Sequence, residues 1–241
     1  MHPDDFNELT VKPEFSKGNV LWLGAGIGVD GAIPLAGWKG ENSEGQITAL
    51  DLSKNAIEYA QKQAAELSIG NLNCVTAGVY DLNKLSLDEA MNGIVMSGGV
   101  LQYLPSLPKL AELIFSTLKD GGRLYWRDNG PVVPEKYITL IDGPPFIATG
   151  YYGESQGQKD DPALAQQISE LNKLPLIRFQ YSPVTIQKAF TDLGFNVKMD
   201  IRDSLGYQRP EMERCEDGLY RYPSNHPAFG QPLSFILTAQ K

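Results

Sequence analysis

Three glycines at alternate positions, Gly24, Gly26 and Gly28, follow directly on the apolar run Val20-Leu21-Trp22-Leu23. Glycine enters backbone conformations that other residues avoid and presents no side chain, so such a turn lets main-chain N–H groups approach a ligand closely. A dinucleotide-binding turn carries its third glycine or alanine one place later, where this chain has Val29. The spacing therefore favours a nucleoside cofactor without a pyrophosphate. A second apolar run, 47–50, closes on Asp51, 23 residues after Gly28. A carboxylate at the end of a second strand can accept both hydroxyls of a ribose. A bare turn and a helix-starting acid would explain either feature separately, whereas the two in this order read as one nucleoside site.

For these residues to meet, strands must deliver them to one edge. Short apolar runs at 20–23, 47–50, 73–77, 94–97, 123–127, 195–201 and 233–239 read as strands. Between them, 54–67 carries Ala56, Ile57, Ala60, Ala64 and Leu67 at helical spacing behind Ser53 as an N-cap. Leu110, Leu113, Ile114 and Leu118 share one face of a helix over 107–118, stopped by Gly121-Gly122, and 183–193 reads as a further helix. Strand, helix and strand alternate, which predicts an α/β fold with a parallel sheet covered by helices on both faces. The stretch 129–182 is irregular, with one helical segment over 162–174, and reads as an insertion.

The chain has 241 residues, 42% of them hydrophobic and 21% charged, which suits one domain spanning 1–241 with a sizeable core. A formal charge of -8 argues against a nucleic-acid partner, because that binding needs a basic face to displace phosphate counterions. Cys74 and Cys215 lie far apart, and the scattered His and Cys residues give no metal-ligand spacing, so no disulfide and no metal site is expected. The opening residues lack the basic stretch and apolar run of a signal peptide, and no apolar segment is long enough to cross a bilayer. A cytoplasmic enzyme, monomeric or homodimeric and without a membrane partner, is the expectation.

Segments 20–28, 47–53, 75–82, 94–104 and 118–128 resemble, in order and spacing, successive motifs of the class I S-adenosylmethionine-dependent methyltransferases. Val95-Met96-Ser97-Gly98-Gly99-Val100-Leu101-Gln102-Tyr103-Leu104 is similar to the family's fourth-strand signature. Leu118-Lys119-Asp120-Gly121-Gly122 is similar to its Leu-Lys-Pro-Gly-Gly turn, and Ser234 to Ala239 resembles its final strand. The resemblance implies a Rossmann-like, seven-stranded, mostly parallel sheet with the last strand antiparallel, a cofactor-binding core over 18–128, and acceptor-side insertions at 129–182 and 204–231. It implies S-adenosylmethionine as cofactor and S-adenosylhomocysteine as product. Gly24, Ala25, Gly26 and Gly28 would pass under the methionine and ribose, Asp51 would hold the ribose hydroxyls, and Leu52 would flank the adenine beside Val79 and Tyr80. Ser97 and Gly98 would lie beside the sulfonium methyl, where a bulky side chain would block it. This chain departs from the family in having Trp22 where an acid is common and Gly78 where an adenine-binding Asp is common. Asp81 would take over the adenine amine contact and Asp30 would approach the methionine ammonium, or each would cap a helix.

In that topology both irregular stretches open on the cofactor edge, so Asp128, Asn129, Tyr152, Tyr207, Arg209 and Tyr222 become candidate acceptor-binding residues. Tyrosines that pack and arginines that pair with nearby acids are the alternative. His226, in a loop before Pro227, is the candidate general base, since an imidazole titrates in the range needed to take a proton from a hydroxyl or ammonium. The expected activity is methyl transfer to an O or N atom of a small-molecule acceptor. Two other readings are a tRNA or RNA methyltransferase, faintly resembled by 124–130, and a relative that binds the cofactor without methylating, a cyclase or noncatalytic partner.

Overall fold

The computed structural model describes residues 3–29, 31–42, 45–87, 90–130, 140, 142–148, 176–205 and 211–241. The main strands are β1 (Val20–Leu23), β2 (Ile47–Asp51), β3 (Leu72–Thr76), β4 (Met91–Ser97) and β5 (Leu118–Asn129). A two-stranded ribbon, β6 (Gly143–Ala148) with β7 (Leu176–Gln180), and a small hairpin, β9 (Glu213–Arg214) with β10 (Tyr220–Arg221), stand outside the main sheet. With β8 (Asn196–Arg202) and β11 (Ser234–Gln240), the main sheet has seven strands in the order β3-β2-β1-β4-β5-β11-β8. The pairs among β1 to β5 are parallel, and β11 runs antiparallel to both β5 and β8, so the seven-stranded, mostly parallel sheet with a reversed last strand is present.

Alternation along the strands sets the two layers, because successive side chains of a strand point to opposite faces. Leu21, Leu23, Met96, Trp126, Phe235 and Leu237 face helices α5 (Leu107–Thr117) and α6 (Pro183–Thr191). Val20, Trp22, Val95 and Tyr125 face the other way, toward α1 (Pro3–Val11), α2 (Pro13–Ser16) and α3 (Ala32–Asn42). Helix α4 (Lys54–Glu66) buries Ile57, Ala60 and Ala64 and starts on Ser53, whose side chain accepts from the Ala56 N–H. Serines likewise start α5 at Ser106 and α6 at Ser182.

Three features depart from the sequence patterns. The helix over 107–118 ends at Thr117, and Gly121-Gly122 lie inside β5, because the chain turns extended at Leu118 to pair with Met91. Helices α1 to α3 lack a clear apolar period. They are held by tertiary contacts: the buried Asp5 carboxylate accepts from Tyr125 Oη at 2.5 Å and from Arg127 at 2.6 Å. Lys39 is 0% exposed and donates to the carbonyls of Phe15, Ser16 and Gly18 at 2.8, 3.0 and 2.9 Å, so its three ammonium hydrogens tie α3 to the end of α2. The β6 and β7 ribbon pairs the two ends of the 129–182 insertion; the helical segment expected over 162–174 lies outside the described residues.

Candidate functional site

Strand order reverses between β1 and β4, and in open α/β sheets ligands bind outside the carboxyl ends of the strands at that switch point. Leu23 pairs with Leu50 on one side and Met96 on the other, so β1, β2 and β4 end in line. The next residues along these strands, Gly24, Asp51 and Ser97, are thereby brought to one edge. Gly24, Gly26 and Gly28 adopt φ of 68°, 53° and 77°, the left-handed region that favours glycine.

The three glycines serve different ends. A Cβ on Gly28 would press on Ile33 and Ala60 at 3.2 and 3.3 Å, so this glycine lets the turn sit close against the helices. A Cβ on Gly24 would overlap Val100, a contact the sequence did not reveal because it joins the ends of two strands far apart in the chain. A Cβ on Gly26 would meet no atom within 4 Å: there the backbone borders open space. Trp22 fills the face below, with its ring so close under Gly31 that a Cβ at 31 would overlap it.

Asp51 closes the cradle. Its Oδ2 accepts from the Gly26 N–H and its Oδ1 from the Ser53 N–H, both at 2.8 Å. A carboxylate has about four acceptor positions, so this grip fixes the side chain and leaves lone pairs for two hydroxyls. Leu52, the next residue, is 78% exposed. Its Cδ1 lies 3.8 Å from where a Gly78 Cβ would stand, and Asp81 Oδ2 lies 3.0 Å from the same point. Leu52, Gly78 and Asp81 thus come together as an apolar wall, bare backbone and an acceptor, a set that suits a purine with an exocyclic amine. The ion pair with Lys84, at 2.5 Å, holds the Asp81 carboxyl below the usual carboxylate range. Val79 packs on the core, and Tyr80 gives its hydroxyl to the Ser106 carbonyl at 2.9 Å; burial pushes its pKa up to about 12. The open face over Gly26, the pinned acid and the exposed Leu52 fit an adenosyl group.

At the end of β4, Gly98 and Gly99 are both left-handed, at φ 83° and 91°, and a Cβ on Gly98 would meet nothing within 4 Å. Ser97 pairs with Arg127 of β5, so the open turn after β4 lies beside the end of β5. Of the acceptor candidates, Asp128 is buried and accepts four hydrogen bonds from within the protein. Asn129, half-buried, donates to the Gly130 carbonyl. Tyr222 is buried with Leu205, Met212, Ala228 and Leu233 in a small separate cluster. His226 stacks on it at 4.1 Å; His226 Nδ1 accepts from the Ala228 N–H at 3.0 Å, and Nε2 faces Glu211 at 2.8 Å. An imidazole accepting at Nδ1 carries its proton on Nε2, so the neutral ring, as placed, has no lone pair turned to an acceptor. Asp30, Tyr152, Tyr207 and Arg209 lie outside the described residues. Among the described residues no group of three or more His, Cys, Asp or Glu could hold a metal ion, and no helix is long and apolar enough to cross a membrane.

A family model described as a methyltransferase domain matches residues 14–142, more than half of the chain. The human arsenite methyltransferase is 26% identical over 115 residues, 45% of this chain but only 30% of that protein. An S-adenosylmethionine-dependent methyltransferase from Mesorhizobium loti superposes with a TM-score of 0.57 at 16% identity, covering 99% of this chain and 96% of that one. The phosphoethanolamine N-methyltransferase 2 of Haemonchus contortus, solved with phosphomonomethylethanolamine and S-adenosylhomocysteine, gives a TM-score of 0.54 at 14% identity over 83% of this chain and 39% of that one.

Proposed function

This chain belongs to the class I S-adenosylmethionine-dependent methyltransferases, and on that premise we propose that it methylates an O or N atom of a small-molecule acceptor in the cytoplasm, as a monomer or homodimer. The observation that carries the acceptor class is where the insertion lies. Tyr181, directly after β7, donates its hydroxyl to the Leu104 carbonyl at 2.6 Å, which seats the β6 and β7 ribbon on the 101–104 turn that follows β4. The described ends of the insertion would then stand beside the methyl end of the crevice, which suits a molecule taken inside and not a surface docked from outside. The charge of -8 adds to this. The phosphomonomethylethanolamine complex of the Haemonchus neighbour and the arsenite named for the human relative are small acceptors in proteins of related fold or sequence.

When bound, the cofactor supplies an electrophilic methyl on a sulfonium. The chain's residues then orient and enclose. Asp51 would hold the ribose hydroxyls, Leu52 and Gly78 would flank the adenine with Asp81 at its amine, and Gly26 would let the backbone pass close under the methionine. Ala25, Ser97 and Gly98 would keep the methyl's path clear. In-line transfer gains most from proximity, alignment and exclusion of water, which a closed crevice provides without a dedicated acid or base. Calorimetry with S-adenosylmethionine and S-adenosylhomocysteine, followed by methyl-labelled cofactor with a panel of small amines, alcohols and phenols beside bulk tRNA, tests the reading. Label in a small molecule supports it. Label in tRNA alone, or cofactor binding with no transfer to any acceptor in a metabolite extract, overturns it.

A further inference from the structure

Asp128, next to last in β5, is only 2% exposed, yet it is a charged side chain at the active edge. Its Oδ1 accepts from the N–H groups of Gly99 and Asn129, each at 2.8 Å, and its Oδ2 from Leu101 N–H at 2.9 Å and Trp126 Nε1 at 3.1 Å. Four donors fill the acceptor positions of a carboxylate, and none of these partners could accept a hydrogen from a carboxylic acid. Burial holds the Asp128 carboxyl above the usual range, and the four N–H groups offset only part of that. With every lone pair taken, it has nothing left to offer an acceptor molecule, so the side chain named for that role by its position in sequence must act through something else.

Two of its four bonds reach out of β5 to the turn after β4. Gly98 and Gly99 are consecutive left-handed glycines, the residue type that loses most freedom when fixed. Within the turn Gln102 Nε2 donates to the Gly99 carbonyl at 3.2 Å and the Tyr103 N–H to the Val100 carbonyl at 3.0 Å, bonds that engage its carbonyls and not the N–H groups of Gly99 and Leu101. Asp128 takes the N–H on either side of Val100 and so pins the turn at two points, while Trp126, packed edge-on against Phe190 and Phe235 with centroids 6.1 and 5.1 Å away, holds the carboxylate from below. The free face of the turn is Gly98, open for 4 Å around its absent Cβ and next to Ser97. We propose that Asp128 is a positioning residue: it sets the shape of the Gly98 to Leu101 turn, and through it the fit of the site to the sulfonium methyl, without touching cofactor or acceptor.

The test compares two ligands that differ by one methyl and its charge, S-adenosylmethionine and S-adenosylhomocysteine. In Asp128→Asn the side chain keeps one oxygen and turns an NH2 toward two N–H donors, so the turn loses one of its two anchors, the Gly99 or the Leu101 N–H bond. Calorimetry is expected to show one S-adenosylhomocysteine bound per chain with affinity within about fivefold of the parent, and a preference for the sulfonium over the thioether that falls at least fivefold. Amide exchange of whichever of Gly99 and Leu101 loses its acceptor should quicken at least a hundredfold, with that of Gly26, bonded to Asp51, unchanged. Trp126→Phe, which removes one donor and keeps an aromatic ring in the core, should move the same ratio in the same direction by a smaller factor, and it serves if Asp128→Asn does not fold. A role in stability alone would reduce the bound stoichiometry and leave the ratio untouched. Equal weakening of both ligands, or unchanged exchange at Gly99 and Leu101, overturns the proposal.

Discussion

Alanine at Gly26 and alanine at Gly24 should have opposite consequences, although both glycines are left-handed and sit two residues apart. At Gly26 the new methyl meets no protein atom within 4 Å, so the cost to the fold is the left-handed conformation alone, about 1 kcal/mol for an L-residue. For a chain of this size that lowers the melting temperature by about 3 °C. The same methyl stands in the space assigned to the cofactor, where it would displace the ligand and strain its bonds to Asp51. A loss of about 3 kcal/mol, or roughly a hundredfold in affinity, follows. At Gly24 the methyl overlaps Val100, adding about 1–3 kcal/mol of overpacking to the conformational cost. Gly24→Ala should therefore melt several degrees lower than Gly26→Ala, and Val100→Ala in that background should restore the overpacking part only. Differential scanning fluorimetry and calorimetry with S-adenosylhomocysteine, on the same preparations, give both quantities. If Gly26→Ala binds S-adenosylhomocysteine within threefold of the parent, the cofactor does not lie over this turn and the site has been placed wrongly.

Lys39→Met should cost about 3 kcal/mol or more at pH 7, because three buried or half-buried carbonyls lose their donor. Burial lowers the Lys39 pKa to about 8 from an ordinary 10.5, so between those values the unfolded chain binds the extra proton and the parent gains stability as pH rises. The gap to Lys39→Met in urea titrations should widen by about 3 kcal/mol across that window; a gap that narrows contradicts burial as the cause. His226→Ala should remove the stack on Tyr222 and the Ala228 bond, at about 1–2 kcal/mol of stability, with S-adenosylhomocysteine affinity unchanged. A collapse in turnover at unchanged stability would instead restore the ring as a base.

The cofactor half of the molecule was legible because its signals are local. A buried run, a glycine turn and an acid at the end of the next run are each contained within a few residues, and parallel register does the rest by ending β1, β2 and β4 in line. Helix α3 was not legible: Pro34, Gly37 and Gly40 weaken its propensity, and what makes it a helix is packing on the sheet and the anchor at Lys39. The same holds for α1, whose Asp5 finds Tyr125 and Arg127 some 120 positions on, separations of 120 and 122 residues. On the acceptor side, residue type suggested a role for Asp128, but its four donors come from two places in the chain, β5 itself and the turn after β4. Only their assembly shows that the carboxylate is filled. Of the two readings of the loop tyrosines, Tyr222 takes the packed one, against the ring of His226.

The polar side chains Asp51, Asp128, Asp5 and His226 share a property that bears on the reaction. Asp51 grips backbone N–H groups, Asp128 is saturated, Asp5 is held by Tyr125 and Arg127, and His226 accepts from Ala228. Asp128 can take a substrate proton only by releasing its donors, and the lone pairs left on Asp51 belong to the ribose in the proposed site, so neither carboxylate is poised for general-base work. On the proposed reading, deprotonation of the acceptor would belong to the acceptor and solvent, and the protein would contribute alignment and exclusion of water. It follows that kcat/KM should rise with pH along a limb set by the acceptor's own pKa. Two accepted substrates whose pKa values differ by about two units should show limbs displaced by about the same amount. A limb fixed at one pH for both would identify a side chain of the enzyme as the base and would direct the search to the loops that carry Tyr152, Tyr207 and Arg209.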